Sequence, residues 1–297
     1  MSRMNIVKDF FLQMRSWSLV AFCAIFVVWG CKKNDPVPTY VEVNEVDFSF
    51  SGTQGTKHQK LSHLWVYADE QLLGAFPFPA KIPILCEQST CNLRFYPGIR
   101  DNGSSDTPEI YPFLDYYSTT IPYKSGEWQT IKPVFSYNQD TRFLLMENFD
   151  FSNQFNVDLD GNPNTTHMAS PDAYEGLACL KLTCDKNNPL VEVANNSLIT
   201  NLPTNNTTPV YLELTYKCDL PIGIGYNLTR NGRVEKKLHA ILNPRAEWNK
   251  VYINFTELFT QSGTTGVQLF FSSSFTEYTG LETQASIWID NVKLLKF

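Results

Sequence analysis

Apolar and polar residues alternate in many short segments of this 297-residue chain. Val46, Phe48 and Phe50, for example, are each separated by one polar residue. A period of two is typical of a strand that buries one face. From 40 to 136 no segment has a helical period, and breakers such as Pro97-Gly98 separate the segments. We therefore predict an all-β fold built from many short strands.

Polar residues 137–142 divide the strand-like segments into two groups. The first group, 41–136, has short segments with closely spaced turn signals, which favours a β-sandwich. The second group, 143–297, has Asn- and Thr-rich stretches between its segments, and its length fits a jelly roll better than a small sandwich. The residues thus predict an N-terminal β-sandwich followed by a C-terminal jelly-roll sandwich; that the first is immunoglobulin-like is implied by a family resemblance given below.

The first 30 residues have the layout of a secretory signal peptide. A basic start precedes an apolar run from Ser18 to Gly30, which is shorter than the roughly 20 residues that a membrane-spanning helix needs. Gly30 directly before Cys31 resembles the lipobox of bacterial lipoproteins. This resemblance implies that residues 1–30 are removed and that the Cys31 thiol is acylated. An inert, buried cysteine after an ordinary signal peptide is the alternative.

Residues 31–40 would then form a polar tether that holds the folded part away from the membrane. Lipoproteins of this kind carry several acyl chains, which anchor firmly where one chain alone binds marginally. Lys32 and Lys33 after the cysteine favour the outer membrane, because retention in the inner membrane favours Asp at that place. We therefore expect a lipid-anchored protein of the outer membrane that faces the cell surface.

The chain is acidic, with a formal net charge of −6 at pH 7. A nucleic-acid-binding protein needs a basic face that replaces the counterions of the phosphates, and no segment supplies one. Binding to anionic lipid through charge is excluded for the same reason, so the acyl chains must provide the membrane anchor. We therefore expect no nucleic-acid partner.

Five cysteines remain beyond the signal and Cys31, and their odd number leaves at least one thiol free or paired between molecules. Cys86 and Cys91 enclose a polar loop between two apolar segments, so we predict a disulfide there in an oxidising compartment. Cys179 and Cys184 have the same spacing, but an extended strand between them would hold their thiols too far apart to bond.

Two sets of motifs resemble known families. In the first half, Trp65-Val66-Tyr67-Ala68-Asp69 and Tyr96-Pro97-Gly98-Ile99 resemble Bacteroidota lipoproteins in which an immunoglobulin- or fibronectin-like domain precedes a jelly roll. In the second half, Glu147-Asn148-Phe149-Asp150 and Ile289-Asp290-Asn291-Val292 resemble the first and last strands of carbohydrate-binding-module jelly rolls.

The second resemblance implies that these two terminal strands lie close together. It also implies a structural calcium ion at Glu147 and Asp290, since calcium prefers about six to eight hard oxygen ligands. The alternative is that Asp290 and Asn291 only cap a strand end and accept backbone hydrogen bonds.

Sugar binding needs an exposed aromatic face with a few amide, carboxylate or guanidinium groups beside it. The predicted ligand-binding residues in the second half are Tyr226, Arg230, Arg233 and Trp248, with Tyr174 and Tyr278 as further aromatic candidates. Burial is the alternative for each ring, because most aromatic residues of a β-rich protein lie in the core. Trp288 points away from the face that Ile287 and Ile289 share, because neighbours on a strand alternate.

Catalysis has little support, because neither G-x-S-x-G nor H-E-x-x-H occurs. We expect a non-catalytic surface lipoprotein that binds glycan through its C-terminal jelly roll. The alternative is a structural or adhesive cell-surface protein, for example a pilus-associated one, that binds a protein partner instead of sugar.

Overall fold

A computed structural model describes residues 35–104, 106–168, 172–203, 205–257, 262–277 and 283–297. The predicted signal peptide, Cys31 and Tyr278 lie outside these residues. The described chain is all-β, with 3₁₀-helices at Gly52–Gln54 and Phe275–Glu277 as its helical segments. None of the described helices has the length and apolar character that crossing a bilayer requires. Pro38–Phe297 form one compact unit.

Within the described residues, the first half of this unit contains ten strands in three small sheets. Their bounds are β1 (Thr39–Val43), β2 (Asp47–Phe48), β3 (His63–Ala68), β4 (Gln71–Pro77), β5 (Ala80–Ile84), β6 (Thr90–Arg100), β7 (Pro108–Ile110), β8 (Tyr117–Pro122), β9 (Trp128–Thr130) and β10 (Val134–Phe135). The sheets have the orders β5-β1-β9, β10-β2 and β4-β3-β6-β7, with β8 also paired to β6. Inward side chains of all three sheets share one hydrophobic core, which we call the first core.

The second half has eleven strands in two sheets in the ranges that the structure describes. Their bounds are β11 (Arg142–Glu147), β12 (Phe155–Asp158), β13 (Thr166–Met168), β14 (Leu180–Asp185), β15 (Leu190–Asn195), β16 (Val210–Cys218), β17 (Ile222–Arg230), β18 (Arg233–Leu242), β19 (Arg245–Asn254), β20 (Thr264–Ser274) and β21 (Gln284–Lys296). The terminal-strand sheet has the order β13-β14-β21-β16-β19, with β11 on β21, and the hairpin sheet has the order β12-β15-β20-β17-β18.

These two sheets pack face to face as the predicted jelly-roll sandwich around a second core. The first and last strands of this half pair antiparallel, with Glu147 opposite Val292, so the expected closeness of the terminal strands is confirmed. In β21 the alternation is also as predicted, because Ile287 and Ile289 are fully buried while Trp288 is half-buried on the outer face.

Turn chemistry fixes the hairpins. Asp69 and Glu70 have φ of 46° and 68° in the tight turn between β3 and β4. Asn231 and Gly232 have φ of 49° and 74° between β17 and β18. Positive φ at both central residues matches the right-handed twist of the flanking strands, and Asn-Gly tolerates it best.

The first sandwich packs on the outer face of the terminal-strand sheet. Tyr211, Tyr252 and Leu295 project from that sheet into the first core, where they are 5% exposed or less. The backbone N–H of Asn102 donates to the Tyr252 carbonyl at 3.0 Å, which ties a turn of the first sandwich to β19. One end of the outer face is therefore covered by the first sandwich. At the other end, which we call the open end, Lys181, Lys217, Trp248 and Trp288 are partly exposed.

Candidate functional site

A row of alternating lysine and tryptophan crosses the open end of the terminal-strand sheet. Lys181 on β14 and Lys217 on β16 are both direct cross-strand partners of Trp288 on β21. The Lys181 Nζ lies 5.1 Å and the Lys217 Nζ lies 4.7 Å from the centroid of the Trp288 ring. The Lys217 Nζ also lies 5.2 Å from the ring of Trp248 on β19. We call these four residues the Lys–Trp row.

Strand alternation places the Lys–Trp row on the outer face. In β16 the residues next to Lys217, Tyr216 and Cys218, are buried in the second core, so Lys217 faces outward. Each cation–π contact contributes about 0.5–2 kcal/mol, so the contacts fix the positions of the ammonium groups relative to the rings. The result is an aromatic surface with N–H donors between its rings.

Tyr174 and His58 extend this aromatic surface. The Tyr174 ring meets Trp248 edge-on with centroids 5.8 Å apart, and His58 stacks on Tyr174 at 4.1 Å. The His58 Nδ1 lies 3.1 Å from the Thr215 hydroxyl. Burial, followed by the charge of Lys250, lowers the pKa of His58 to about 4, so the ring is neutral at pH 7.

Asp290 holds the segment that carries Tyr174. Its Oδ2 accepts backbone hydrogen bonds from Tyr174 at 3.0 Å and from Glu175 at 3.3 Å, and its Oδ1 accepts one from Asn291 at 2.7 Å. Burial raises the pKa of Asp290 to about 6, although these three N–H donors act in the opposite direction. Asp290 thus positions an aromatic ring beside the Lys–Trp row.

Both carboxylate oxygens of Glu147 accept hydrogen bonds from the backbone. Its Oε1 accepts from the Phe149 N–H at 2.7 Å, and its Oε2 accepts from the Gln154 N–H at 2.8 Å. Asn291 is different, because both polar atoms of its buried side chain lack a hydrogen-bond partner.

Calcium at Glu147 and Asp290 stays a prediction. Among the described residues, the one group of three His, Cys, Asp or Glu side chains that is close enough for an ion is Asp69 with Cys86 and Cys91. A calcium ion at Glu147 and Asp290 would therefore need backbone carbonyl or amide oxygens for most of the roughly six to eight ligands that calcium prefers.

The four residues predicted to bind ligand are not brought together by the fold. Tyr226 is only 3% exposed and packs in the second core with its ring edge-on to Phe255. Arg230 and Arg233 are cross-strand partners beside the β17–β18 turn, in the hairpin sheet. Arg230 is paired with Glu235 at 2.5 Å. Only Trp248 lies in the Lys–Trp row.

Sequence reasoning missed Lys181 and Lys217. The outward orientation of Trp288 was visible in its strand, but its lysine neighbours come from β14 and β16, which are distant in the chain. Only the strand register brings them beside the indole ring.

A buried ionic network lies next to the site, where the first sandwich covers the outer face. Glu213 pairs with Lys250 at 2.7 Å, and both side chains are fully buried. Tyr111 donates its hydroxyl hydrogen to Glu213 Oε1 at 2.5 Å, and Tyr137 donates to it at 3.0 Å. Burial alone would raise the pKa of Glu213, but Lys250 and Lys293 outweigh it and lower the pKa to about 2. This network has no access to solvent and joins the two sandwiches.

The cysteines of the described chain are structural. Cys86 and Cys91 form a disulfide with their Cα atoms 5.9 Å apart. Cys179 and Cys184 are separate buried thiols, as expected for an extended segment, and so is Cys218. Burial raises the pKa of Cys184 to about 12 and that of Cys218 to about 11, so neither forms a reactive thiolate at neutral pH.

No protein-family model and no curated protein matches the sequence. Among solved structures, the chain is similar to the xylan-binding domain of carbohydrate-binding-module family 22, with a TM-score of 0.35, 14% identity, and coverage of 51% of this chain and 93% of that chain.

Two further structures are similar to this chain. One is the family 30 module of the cellulosomal cellulase Cel9D-Cel44B of Clostridium thermocellum, with a TM-score of 0.33, 15% identity, and coverage of 52% and 96%. The other is TmCBM61 in complex with β-1,4-galactotriose, with a TM-score of 0.30, 11% identity, and coverage of 52% and 88%. At these TM-scores the likeness carries no argument about the ligand of this chain.

Proposed function

We propose that this protein is a non-catalytic surface lipoprotein that binds glycan on the Lys–Trp row. The observation that carries the proposal is the row itself, in which Trp288 and Trp248 alternate with two lysines on an open sheet face. A sugar ring offers an apolar C–H face that packs on an aromatic ring and hydroxyl groups that accept hydrogen bonds. Lysine ammonium groups supply three donors each.

The geometry of the row favours an extended ligand. Trp288 and Trp248 lie on β21 and β19, with β16 between them. Neighbouring strands are about 4.8 Å apart, so the two indoles are separated by about 10 Å along a nearly flat surface. Such a spacing is longer than one sugar ring, so it suits two separated rings of an extended oligosaccharide better than a single sugar in a closed pocket.

The membrane anchor belongs to the same proposal. The mature chain would begin at an acylated Cys31 on the outer membrane, with the glycan-binding face in the jelly roll directed at the cell exterior. Mass spectrometry of the N-terminal peptide from the native host tests this. An N-terminus at another residue, or a bare Cys31 thiol, would contradict the lipid anchor without bearing on the glycan site.

Glycan binding is tested with the soluble chain 33–297, which contains every described residue. Glycan arrays and affinity gels identify a polymer that binds, and Trp248→Ala and Trp288→Ala are then compared with the wild type. We expect each change to weaken binding at least about tenfold, because aromatic contacts contribute most of the affinity of such surfaces. Trp128→Ala is the control, since that ring is 55% exposed but stacks on Tyr40 in the first sandwich.

Two results would overturn the proposal. One is a failure of the wild-type chain to bind any glycan across host and plant polymers. The other is equal binding by the Trp248, Trp288 and Trp128 variants, which would show that the row is not the site.

A protein-binding function is the second candidate, and one observation favours it. β18 is the edge strand of the hairpin sheet, and Val234, Leu238 and Ile241 on it are 66%, 55% and 62% exposed. An unpaired edge with apolar side chains is a template for strand addition by another chain. If this surface is used, Leu238→Lys with Ile241→Lys should abolish self-association or partner binding in size-exclusion measurements, while glycan binding should not change.

A further inference from the structure

A cleft of about 260 Å³ opens between the two sandwiches, at the edge of the terminal-strand sheet. The first sandwich contributes Lys60 and Arg100 to its lining, and β19 contributes Arg245, Asn249 and Lys250. The cleft therefore exists only where the two sandwiches meet.

The charge of this cleft is one-sided. None of the described residues that line it is Asp or Glu. Lys250 is neutralised by Glu213, but Lys60, Arg100 and Arg245 take part in none of the ion pairs found among the described residues. Asp101 directly follows Arg100 but does not line the cleft and is not paired with Arg100: its Oδ2 accepts from the Asn254 amide at 3.4 Å, and its Oδ1 is buried without a hydrogen-bond partner in the described part of the chain.

The pKa shifts of two neighbouring groups agree with a positive electrostatic potential in the cleft. The pKa of Lys60 is lowered by burial and then by the charges of Arg245 and Arg100. Burial and the charge of Arg100 also lower the pKa of His63. The positive charges of Lys60, Arg100 and Arg245 repel one another, which destabilises the free protein. An anion bound in the cleft would reduce this repulsion.

The cleft adjoins the Lys–Trp row along β19. Lys250, which lines the cleft, is two residues from Trp248 on this strand, so the two side chains share its outer face. Asn249 lies between them and points to the opposite face, where its side-chain oxygen accepts a hydrogen bond from the Lys60 ammonium group.

We propose that this cleft binds an anionic substituent of the glycan, so that the ligand is an acidic polysaccharide bearing carboxylate or sulfate groups. The inference rests on the proposed glycan-binding function and names the ligand class. Sugar rings would pack along the Lys–Trp row, while Lys60, Arg100 and Arg245 bind the charged oxygens of a neighbouring residue. Arginine guanidinium groups suit this role because their fork of N–H donors matches a carboxylate or sulfate.

The test compares acidic polymers with charge-masked forms of the same backbone, using the soluble chain 33–297. Polygalacturonate is paired with its methyl ester, and a sulfated galactan is paired with its desulfated form. Binding is measured by affinity electrophoresis and calorimetry at low and high salt. We expect the acidic form of at least one pair to bind about tenfold or more tightly than its neutral form, with affinity falling as salt rises. The pair that responds identifies carboxylate or sulfate as the recognised group.

Arg100→Gln with Arg245→Gln tests the cleft directly. We expect the double variant to lose about tenfold or more in affinity for the acidic polymer. Lys124→Gln with Lys132→Gln changes the net charge equally on the exposed surface of the first sandwich and is the control. The single variants are measured as well, so that a folding defect in the double variant still leaves a result for each arginine.

The outcomes separate this inference from the proposed function. Binding of neutral polymers alone, or equal affinity of the cleft and control variants, overturns the anionic ligand and leaves glycan binding in place. Failure of every polymer to bind overturns both.

Discussion

Glu213 and Lys250 form a 2.7 Å ion pair with both side chains fully buried between the two sandwiches. Gln59, from a segment of the first sandwich, donates to Glu213 Oε2 at 3.2 Å and accepts from the Tyr252 hydroxyl at 2.7 Å. Lys293 completes the network by donating to the Thr56 carbonyl at 3.0 Å. The charges are thus shared by both halves of the protein and satisfied only when the halves are packed together.

Glu213→Gln should destabilise the fold strongly. The change leaves Lys250 and Lys293 buried without a counterion, and breaking a buried pair in this way costs about 3–5 kcal/mol. Urea unfolding measures the loss. The control is Glu70→Gln, whose pair with Arg94 is exposed to solvent and should contribute little to stability. Equal midpoints for the two variants would show that the buried pair is not needed.

His58 should make stability fall in mild acid. Its pKa is lowered from 6.5 to about 4, so the folded state binds the proton less readily than the unfolded state. Its contribution is full above pH 6.5 and is lost as the pH falls from 6.5 towards 4. After allowance for solvent screening of this half-buried ring, we expect the wild type to lose about 1–2 kcal/mol relative to His58→Gln between pH 7 and pH 4. Parallel stability curves for the two proteins would contradict this.

Gly225→Ala should disturb the hairpin sheet. A Cβ at Gly225 would lie 2.1 Å from Cζ of Phe270 and 2.6 Å from the Lys237 carbonyl oxygen, so the Phe270 ring or the backbone must shift. Such overpacking costs about 1–3 kcal/mol, measured by thermal or urea unfolding. Gly52→Ala is the matched control, because nothing lies within 4 Å of its added Cβ. A change at Gly225 as mild as that at Gly52 would mean that the strand relaxes freely.

Removal of the Cys86–Cys91 disulfide should have a modest effect. The two cysteines are five residues apart, so the bond closes a short loop and restricts the unfolded chain by about 2 kcal/mol. The unfolding free energy of Cys86→Ser with Cys91→Ser should fall by that amount, and wild type in reductant should match the variant. A sensitivity of the variant itself to reductant would point to a different pairing.

The sequence allows local geometry to be predicted and leaves strand partners open. Alternation identified the inward Ile287 and Ile289 and the outward Trp288, because it depends only on neighbouring residues. Tyr226 could not be assigned in the same way, since both faces of β17 are buried and periodicity gives no contrast there. It was selected as a ligand-binding residue because Arg230 and Arg233 follow it closely in the sequence, which says nothing about the burial of its ring.

The buried charges and the Lys–Trp row could not be predicted from the sequence, because both depend on contacts between residues that are distant in the chain. Glu213 lies between Leu212 and Leu214, which predicts a solvent-facing acid on a half-buried strand. The first sandwich covers that face, so the acid is buried against Lys250 instead. The Lys–Trp row likewise depends on the register of four strands, which no local pattern encodes.

The packing of Tyr211, Tyr252 and Leu295 into the first core has a consequence for any attempt to use the jelly roll alone. A fragment cut at the boundary between the two halves would expose these apolar side chains to water and would leave the Lys293 ammonium group without its hydrogen-bond partners from the first sandwich. The two halves should therefore be produced and studied as one polypeptide.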